Sequence, residues 1–389
     1  DASGVPLAAS KDNIQIAPKN GKNVRLTIDL ALQQQLENIL AEGVKNSKAV
    51  GGSALIMDPN TGAIEAMANV PTYYPSQYYK VEDASVFQNS AVSHPIEVGS
   101  TMKALTTAAA IDQGVINENT TYYDPASWKV NDFKITNIEE DGGAGTRSIK
   151  DLLNLSLNTG ATWELMQMGG GEINLKAREA WYDYLVNRYL FARETGIEQG
   201  YEATGYVPKP QENGAGINLT YANTAFGQAM TATPVQMAAA LSAVVNGGTY
   251  YQPRLIDSMT DSAGKSAKVG PVVVKKGVVS AKTSQAMIPL MQYVVEHHTF
   301  SPSFDLSKYI VGGKTGTAQI AKPGGGYYDN QFNGTYTGFV GGDKPQYVIV
   351  VFVNKPTIGG YAGTAAAQPI FGNLAHTLIN NSYVTPKKQ

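Results

Sequence analysis

Strand patterns near both ends of this 389-residue chain enclose a long segment in which helical patterns dominate. Residues 53–58 and 63–69 are two apolar runs around the turn Pro59-Asn60-Thr61-Gly62, and this arrangement predicts a hairpin. Three further strands are predicted at residues 310–321, 336–342 and 347–353. One sheet completed by the two ends of the chain accommodates this order, with a helical lobe of about residues 95–295 inserted between them. A crevice between sheet and lobe is then the natural place for a functional site.

Capping residues and periodicity place the helices. Leu26-Thr27-Ile28 is a short strand signal, and Asp29 is suited to cap a helix that continues to about residue 44. The lobe has helical patterns at residues 104–113, 149–157, 178–193, 234–246 and 283–296, and residues 365–379 predict a closing helix. Loops rich in turn residues lie at 71–96, 140–145 and 200–216, and a glycine run at 324–326 predicts a loop between strands.

The first 24 residues are polar and contain two glycines and two prolines, which indicates a linker or the stub of a preceding domain. Residues 25–389 are then the folded domain. The N-terminus lacks the charged start and apolar core of a signal peptide, so we expect a piece of a longer protein whose anchor or export signal precedes residue 1. The longest dense apolar run, YVIVVFV at residues 347–353, is far shorter than the roughly 20 residues of a membrane helix.

Composition excludes several classes of function. A net charge of -2 with no long basic run argues against nucleic acid as the main partner. The absence of cysteine excludes disulfides, thiol nucleophiles and thiolate metal sites. His94, His297, His298 and His376 have no zinc-ligand spacing, so we expect them to be structural or surface residues and expect no metal.

The stretch EVGSTMKALTTAAA at residues 97–110 indicates a nucleophile and its base. A glycine turn places Ser100 in the first turn of a helix, and Lys103 follows one turn later. Residues three apart share a helix face, so the amine can reach the hydroxyl. The unpaired N–H groups of the first helical turn can also stabilise an anion beside the serine. This spacing is weak evidence alone, because Ser262 and Lys265 share it in a polar, glycine-broken segment.

Three motifs occur in order: Ser100-Thr101-Met102-Lys103, Ser156-Leu157-Asn158 and Lys314-Thr315-Gly316-Thr317. This set resembles that of penicillin-binding proteins and class A β-lactamases. A serine hydroxyl is a poor nucleophile until a base takes its proton, and Lys103 can do so only if its ammonium form is disfavoured. Lys314 across the crevice supplies a second cation for that purpose. Ser156 can then relay a proton between the two lysines to a leaving amine.

The remaining residues of the motifs are suited to binding. Asn158 can hold the Lys103 amine and contact a substrate amide. The backbone N–H of Thr317 can join that of Ser100 in an oxyanion hole, while the strand through Thr317 pairs with an extended peptide. Gly316 would let the substrate backbone approach closely. Lys314, Thr315 and Thr317 can bind a terminal carboxylate.

Other interpretations of these residues fail on context. Gly313-Lys314-Thr315 matches the end of a phosphate-binding loop, but Lys308 stands where the first glycine is required, and a strand follows where a helix is needed. A Ser-His-Asp triad of the hydrolase type would need a glycine elbow around the serine, which residues 98–102 do not form.

Beyond the motifs, the chain resembles the transpeptidase domain of class B penicillin-binding proteins over about residues 22–385. The similar blocks are VRLTIDLALQQ, IMDPNTGAIEAMA, YANTAFGQAMTATPVQMAAALSAVVNGG, GGKTGTAQ, YTGFVGGD and the helix after Ala367-Gln368-Pro369. The resemblance implies an α/β (α+β) fold of the kind shared with serine β-lactamases, with an antiparallel sheet flanked by helices and an inserted all-helical lobe.

The same resemblance implies a function. Ser100 would attack the D-Ala-D-Ala end of a peptidoglycan stem peptide, and a neighbouring stem's amine would take the acyl group without ATP, metal or other cofactor. β-Lactams would acylate the same serine. The expected partners are a membrane glycosyltransferase and other cell-wall synthesis proteins, and the expected location is the outer face of the bacterial cytoplasmic membrane. The family's N-terminal pedestal and anchor would precede this chain.

Three positions depart from the family's usual pattern, and none of them removes a functional group. Val98 stands where proline is common, Met102 where an aromatic residue is common, and Leu157 is bulkier than usual.

Other functions remain open. A β-lactamase would need a glutamate to deliver water, for which Glu164 and Glu172 are available by position. A D,D-carboxypeptidase and a non-catalytic penicillin-recognising sensor or cell-wall scaffold are the remaining alternatives.

Overall fold

The computed structural model describes residues 20–137, 143–211, 214, 216–298, 300 and 303–388. The strands are β1 (Asn23–Leu26), β2 (Gly51–Met57), β3 (Ile64–Val70), β4 (Thr121–Asp124), β5 (Ser127–Val130), β6 (Phe133–Thr136), β7 (Gly145–Ser148), β8 (Thr249–Tyr251), β9 (Ile256–Thr260), β10 (Ser266–Lys268), β11 (Val273–Lys276), β12 (Ile310–Ala321), β13 (Tyr327–Gly341) and β14 (Pro345–Asn354). The helices are α1 (Leu30–Asn46), α2 (Ser90–Ser93), α3 (Met102–Asp112), α4 (Ile149–Asn154), α5 (Asn158–Met168), α6 (Leu175–Tyr182), α7 (Ile217–Thr224), α8 (Pro234–Val245), α9 (Ala281–Glu296) and α10 (Gln368–Asn380).

The two ends of the chain complete one antiparallel sheet of five strands, in the order β12, β13, β14, β2, β3. The predicted hairpin at residues 53–69 is confirmed as β2 and β3, and β14 closes the sheet by pairing with β2. Side chains alternate between the two faces, so that Val350 packs into the core beneath the lobe and Ile349 into the core beneath α1 and α10. The sheet is therefore covered on both faces, with β12 at one edge.

Helices α1 and α10 cover the outer face of the sheet. The carboxylate of Asp29 accepts a hydrogen bond from the Leu32 N–H, which confirms the predicted cap. Leu32, Leu36, Leu40 and Val44 recur at helical spacing and are buried against the sheet. This layer comes from the two terminal parts of the described chain. It packs against β2 and β14 on the face of the sheet opposite the lobe.

The inserted lobe is not all-helical, contrary to the expectation for residues 95–295. Helices α3, α5, α8 and α9 form its core, but eight short strands, β4 to β11, lie among them as two-stranded pairs or, for β9 and β10, in a small sheet with β1. These strands are three to five residues long, too short and irregular to stand out in a sequence of mixed polarity. These helices and short strands lie, in chain order, between β3 and β12 of the five-stranded sheet.

Several predicted boundaries were wrong. The helix predicted at 149–157 ends at Asn154, and α5 and α7 were not predicted at all. The helix predicted at 178–193 is α6 followed by a π-helical segment, Asp183–Arg188. The strand predicted from residue 336 begins at Tyr327, and the first strand is Asn23–Leu26, so the fold includes two residues assigned to the linker. Residues 1–19 and the loop residues 140–142 lie outside the described part of the chain.

Within the described ranges, no helix combines the length and apolar character that crossing a membrane requires.

Candidate active site

The turn that carries Ser100 depends on Gly99. Gly99 has a φ of +60°, and its N–H donates to the Gly227 carbonyl at 3.0 Å. A β-carbon on Gly99 would lie 2.9 Å from the Thr317 carbonyl oxygen, so both the dihedral and the contact require glycine. The chain then forms a 3-10 turn, Gly99–Thr101, that continues into α3. Ser100 is thereby placed at the helix start against β12, with 9% of its surface exposed.

Lys103 is fully buried one helical turn after the serine. Its Nζ donates to the Ser100 Oγ at 2.8 Å, as the spacing predicted. It also donates to Ser156, at 2.5 Å to the carbonyl oxygen and 3.2 Å to the Oγ. The 2.8 Å contact places the amine within proton-transfer distance of the Ser100 hydroxyl.

Ser156 lies in the turn between α4 and α5, not at the end of a helix. Its φ of +57° is in the left-handed region, which residues other than glycine seldom adopt. This conformation presents both its carbonyl and its hydroxyl to Lys103. Asn158 begins α5, and its Nδ2 donates to the Thr136 carbonyl at the end of β6 at 3.1 Å.

Lys314 reaches the same hydroxyl from β12. Its Nζ lies 2.9 Å from the Ser156 Oγ, and it also donates to the Thr315 carbonyl at 3.1 Å. Only 1% of Lys314 is exposed. The Ser156 hydroxyl therefore joins the two buried lysines, which come from a helix and from the edge strand of the sheet.

The structure gives Gly316 a constraint different from the one expected. A β-carbon there would lie 2.2 Å from the Thr335 Oγ1 and 2.7 Å from the Val98 carbonyl, so glycine allows β12 to pack against the serine turn. The Thr335 hydroxyl donates to the same Val98 carbonyl at 2.8 Å. The next residue, Thr317, accepts a hydrogen bond at its Oγ1 from the Gly363 N–H at 3.0 Å.

Sequence reasoning missed two further residues of this region. His298, expected to be structural or surface, lies near Lys314, and burial together with the lysine charge lowers its pKa to about 4. Glu97 accepts hydrogen bonds at its Oε1 from the Ala229 N–H and the Tyr327 hydroxyl, both at 2.9 Å. A histidine 16 residues before Lys314 has no local signal, whereas the position of Glu97 three residues before Ser100 could have drawn attention.

The two glutamates considered for a hydrolase differ in environment. Glu172 is exposed beyond the end of α5, and its Oε1 accepts a hydrogen bond from Asn174. Glu164 is fully buried within the lobe, without solvent contact. Glu164 therefore has no direct access to water from the solvent.

The described residues contain no group of three His, Cys, Asp or Glu side chains that could hold a metal ion. Lys314 lies inside β12, which continues to Ala321. The Gly313-Lys314-Thr315 segment is therefore not at the start of a helix, where a phosphate-binding loop would place it.

Comparison with known proteins decides the family. The sequence model of the penicillin-binding protein transpeptidase domain matches residues 52–376. The chain belongs to the penicillin-binding protein transpeptidase family. Stage V sporulation protein D of Bacillus subtilis is 31% identical over 390 residues, covering 100% of this chain and 58% of that protein. The peptidoglycan D,D-transpeptidase FtsI homolog of Mesostigma viride is 27% identical over 93% of this chain and 62% of its own length.

Solved structures of penicillin-binding proteins have the same fold as this chain. Penicillin-binding protein 3 from Mycobacterium tuberculosis, solved in complex with aztreonam, superimposes with a TM-score of 0.83 at 27% identity, over 94% of this chain and 80% of that one. The expected fold is confirmed. The chain spans a little over half the length of the curated relatives it matches, 58% and 62% for the two named above.

Proposed function

We propose that this chain is the catalytic domain of a peptidoglycan D,D-transpeptidase, formed by residues 25–389. The observation that carries the proposal is the 2.8 Å hydrogen bond from the Lys103 Nζ to the Ser100 Oγ, within a fold that belongs to the transpeptidase family. The substrate is the D-Ala-D-Ala end of a stem peptide, and β-lactams acylate the same serine. The names of the similar proteins, among them a D,D-transpeptidase and a penicillin-binding protein with bound aztreonam, support this reaction.

In the first step, the Ser100 Oγ attacks the carbonyl carbon of the penultimate D-Ala while its proton passes to the Lys103 amine. The negative oxygen that forms is stabilised by the backbone N–H groups of Ser100 and Thr317. The C–N bond then breaks. The leaving D-Ala amine receives a proton through the Ser156 hydroxyl, which lies 2.9 Å from the second lysine, Lys314.

In the second step, the amine of a neighbouring stem attacks the acyl-serine ester. It gives up a proton by the same route, the new amide forms, and the Ser100 hydroxyl is restored. Asn158 and the backbone of β12 hold the stem in an extended form, while Lys314, Thr315 and Thr317 bind its terminal carboxylate. We propose that the enzyme acts on the outer face of the bacterial cytoplasmic membrane. Its proposed partners are a membrane glycosyltransferase and other cell-wall synthesis proteins.

The test is the intact mass of the chain against time after mixing with benzylpenicillin, beside the Ser100→Ala and Lys103→Ala variants. We expect an adduct that lasts for hours in the wild type and is absent from both variants. Rapid loss of the adduct with drug turnover would identify a β-lactamase, and no adduct would favour a scaffold. A synthetic D-Ala-D-Ala peptide with an acceptor amine then separates cross-linking from hydrolysis by a carboxypeptidase and from the inactivity of a sensor.

A further inference from the structure

The connection between β14 and α10 contacts β12 at Thr317, and none of the proposed chemical steps uses this contact. A π-helical segment, Gly363–Ala367, leads into α10, and the Gly363 N–H donates to the Thr317 Oγ1 at 3.0 Å. N–H groups in the first turn of a helix have no partner within the helix, so this one is available to a side chain outside it. Gly363 is buried, whereas Thr317 is half-buried on the edge strand of the sheet.

Two glycines allow the segment to lie directly on the sheet. A β-carbon on Gly363 would overlap the Gly316 carbonyl oxygen and lie 3.0 Å from the Gly316 nitrogen. Gly334 pairs with Thr317 across β12 and β13, and a β-carbon on Gly334 would overlap the Ala362 carbonyl oxygen. A side chain at either glycine would therefore push the Gly363 N–H away from the Thr317 hydroxyl.

The hydrogen bond from Gly363 determines which part of the Thr317 hydroxyl is free. A hydroxyl has one proton and two lone pairs, and the Gly363 N–H occupies a lone pair. Within the described ranges, no hydrogen bond has this hydroxyl as its donor, so its proton is available to an acceptor outside the chain. A hydroxyl that accepts a hydrogen bond is also a stronger donor. The acceptor that gains most is a carboxylate, because hydrogen bonds to charged groups are about twice as strong as those between neutral groups.

We propose that Gly363 is a positioning residue that acts through Thr317: its N–H orients the Thr317 hydroxyl to donate to the terminal carboxylate of the substrate, which makes acylation selective for donors with a free carboxylate. The inference rests on the proposed function, in which Thr317 binds that carboxylate. Without the Gly363 N–H, the hydroxyl is free to rotate, and the carboxylate loses part of its hydrogen bond. A donor whose carboxylate is esterified has no charge at that position and loses less.

The experiment compares the acylation of the wild type and of Gly363→Ala by benzylpenicillin and by benzylpenicillin methyl ester. The quantity measured is the carboxylate selectivity, defined as the second-order rate constant for benzylpenicillin divided by that for the ester. We expect the carboxylate selectivity to fall about tenfold in Gly363→Ala, the scale of a lost hydrogen bond to a charged group. A general distortion of the site would slow both reagents alike and leave the carboxylate selectivity unchanged.

Gly359→Ala is the matched control, because Gly359 lies in the same connection but has open space where the β-carbon would be. This variant should keep the carboxylate selectivity of the wild type. A tenfold fall in Gly359→Ala as well would overturn the assignment to Gly363, since the effect would then come from any change in the connection.

A double-mutant cycle tests whether the effect passes through the hydroxyl of Thr317. In a Thr317→Val background the acceptor of the Gly363 N–H is gone, so adding Gly363→Ala should not change the carboxylate selectivity further. In a Thr317→Ser background the hydroxyl is retained, and Gly363→Ala should again lower the carboxylate selectivity about tenfold.

Amide hydrogen exchange provides a test that does not require Gly363→Ala to fold. Thr317→Val leaves the glycine in place and removes its acceptor, so we expect the Gly363 N–H to exchange about tenfold faster than in the wild type. The Gly359 N–H should exchange at the same rate in both proteins. Equal exchange at Gly363 in the two proteins would show that Thr317 does not hold this N–H, and would overturn the proposal.

The outcomes separate this inference from the proposed function. A serine adduct that forms with the same carboxylate selectivity in the wild type and in Gly363→Ala would overturn the role of Gly363 and leave the transpeptidase intact. A further fall on adding Gly363→Ala to Thr317→Val would also overturn it, because the effect would not depend on the hydroxyl. If the wild type forms no adduct with benzylpenicillin, the proposed function fails and this inference falls with it.

Discussion

The Ser156 hydroxyl lies 2.9 Å from the Nζ of Lys314, although the two residues are 158 positions apart in the chain. The same hydroxyl is 3.2 Å from the Lys103 Nζ. One oxygen thus connects a lysine on a helix with a lysine on the edge strand. This contact joins the lobe to the sheet at the point where the reaction is proposed to occur.

Ser156→Ala removes that connection. We expect the rate of acylation by benzylpenicillin to fall about a hundredfold or more, the usual scale for loss of a proton-transfer group, while the melting temperature changes little. Stopped-flow or intact-mass kinetics provide the measurement. Ser93→Ala is the control, because it removes a serine hydroxyl that donates to the Asn89 carbonyl and contacts neither lysine. An unchanged rate in Ser156→Ala would exclude the relay.

Gly99→Ala tests the turn before Ser100. It combines a φ of +60° with a β-carbon 2.9 Å from the Thr317 carbonyl, so we expect a loss of about 2 kcal/mol in the free energy of unfolding and slower acylation. Gly114→Ala is matched to it, because Gly114 has a φ of +71° but open space where the β-carbon would be. Urea unfolding of both variants separates the dihedral from the contact. Equal losses of unfolding free energy in the two variants would show that the contact with β12 does not require glycine at position 99.

Tyr327→Phe tests the tether between the β12–β13 hairpin and the serine turn. The lost hydrogen bond to Glu97 is worth about 1 kcal/mol, so we expect acylation to slow about fivefold. Hydrogen exchange at Gly324–Gly326, in the turn of the hairpin, should become faster. If hydrogen exchange and the acylation rate of Tyr327→Phe both match those of the wild type, the hydrogen bond to Glu97 does not hold the hairpin in place.

Glu65→Gln tests a half-buried acid on β3, at the opposite edge of the sheet from β12. Burial, with Asp58 and Asp29 nearby, raises the pKa of Glu65 to about 7 from an ordinary value of 4.5. The folded state therefore favours the protonated form, and this contribution is complete below pH 4.5 and lost as the pH rises to about 7. We expect the melting temperature of Glu65→Gln to exceed that of the wild type by more at pH 8 than at pH 5. Glu42→Gln replaces an exposed glutamate, and its melting temperature should differ from that of the wild type by the same amount at pH 8 and at pH 5.

Local patterns were sufficient for much of the fold. The hairpin of β2 and β3, the long strand β12 and the Asp29 cap were predicted because each depends on residues close together in sequence. The short strands β4 to β11 were not, since three to five residues carry too little periodicity and their pairing is set by partners elsewhere. Helix α5 was missed because it is buried on most sides and has no single apolar stripe.

The candidate active-site residues also divide into those placed by local sequence and those placed by tertiary packing. The sequence alone determined that Ser100 and Lys103 share a helix face, because helical geometry settles the distance between neighbours in one turn. Only the tertiary structure decided that Ser156 joins Lys103 to Lys314, that His298 lies near the second lysine, and that Glu164 is fully buried within the lobe. Those relationships depend on how the lobe packs on the sheet, and burial and charge at a site are properties of that packing rather than of any local segment.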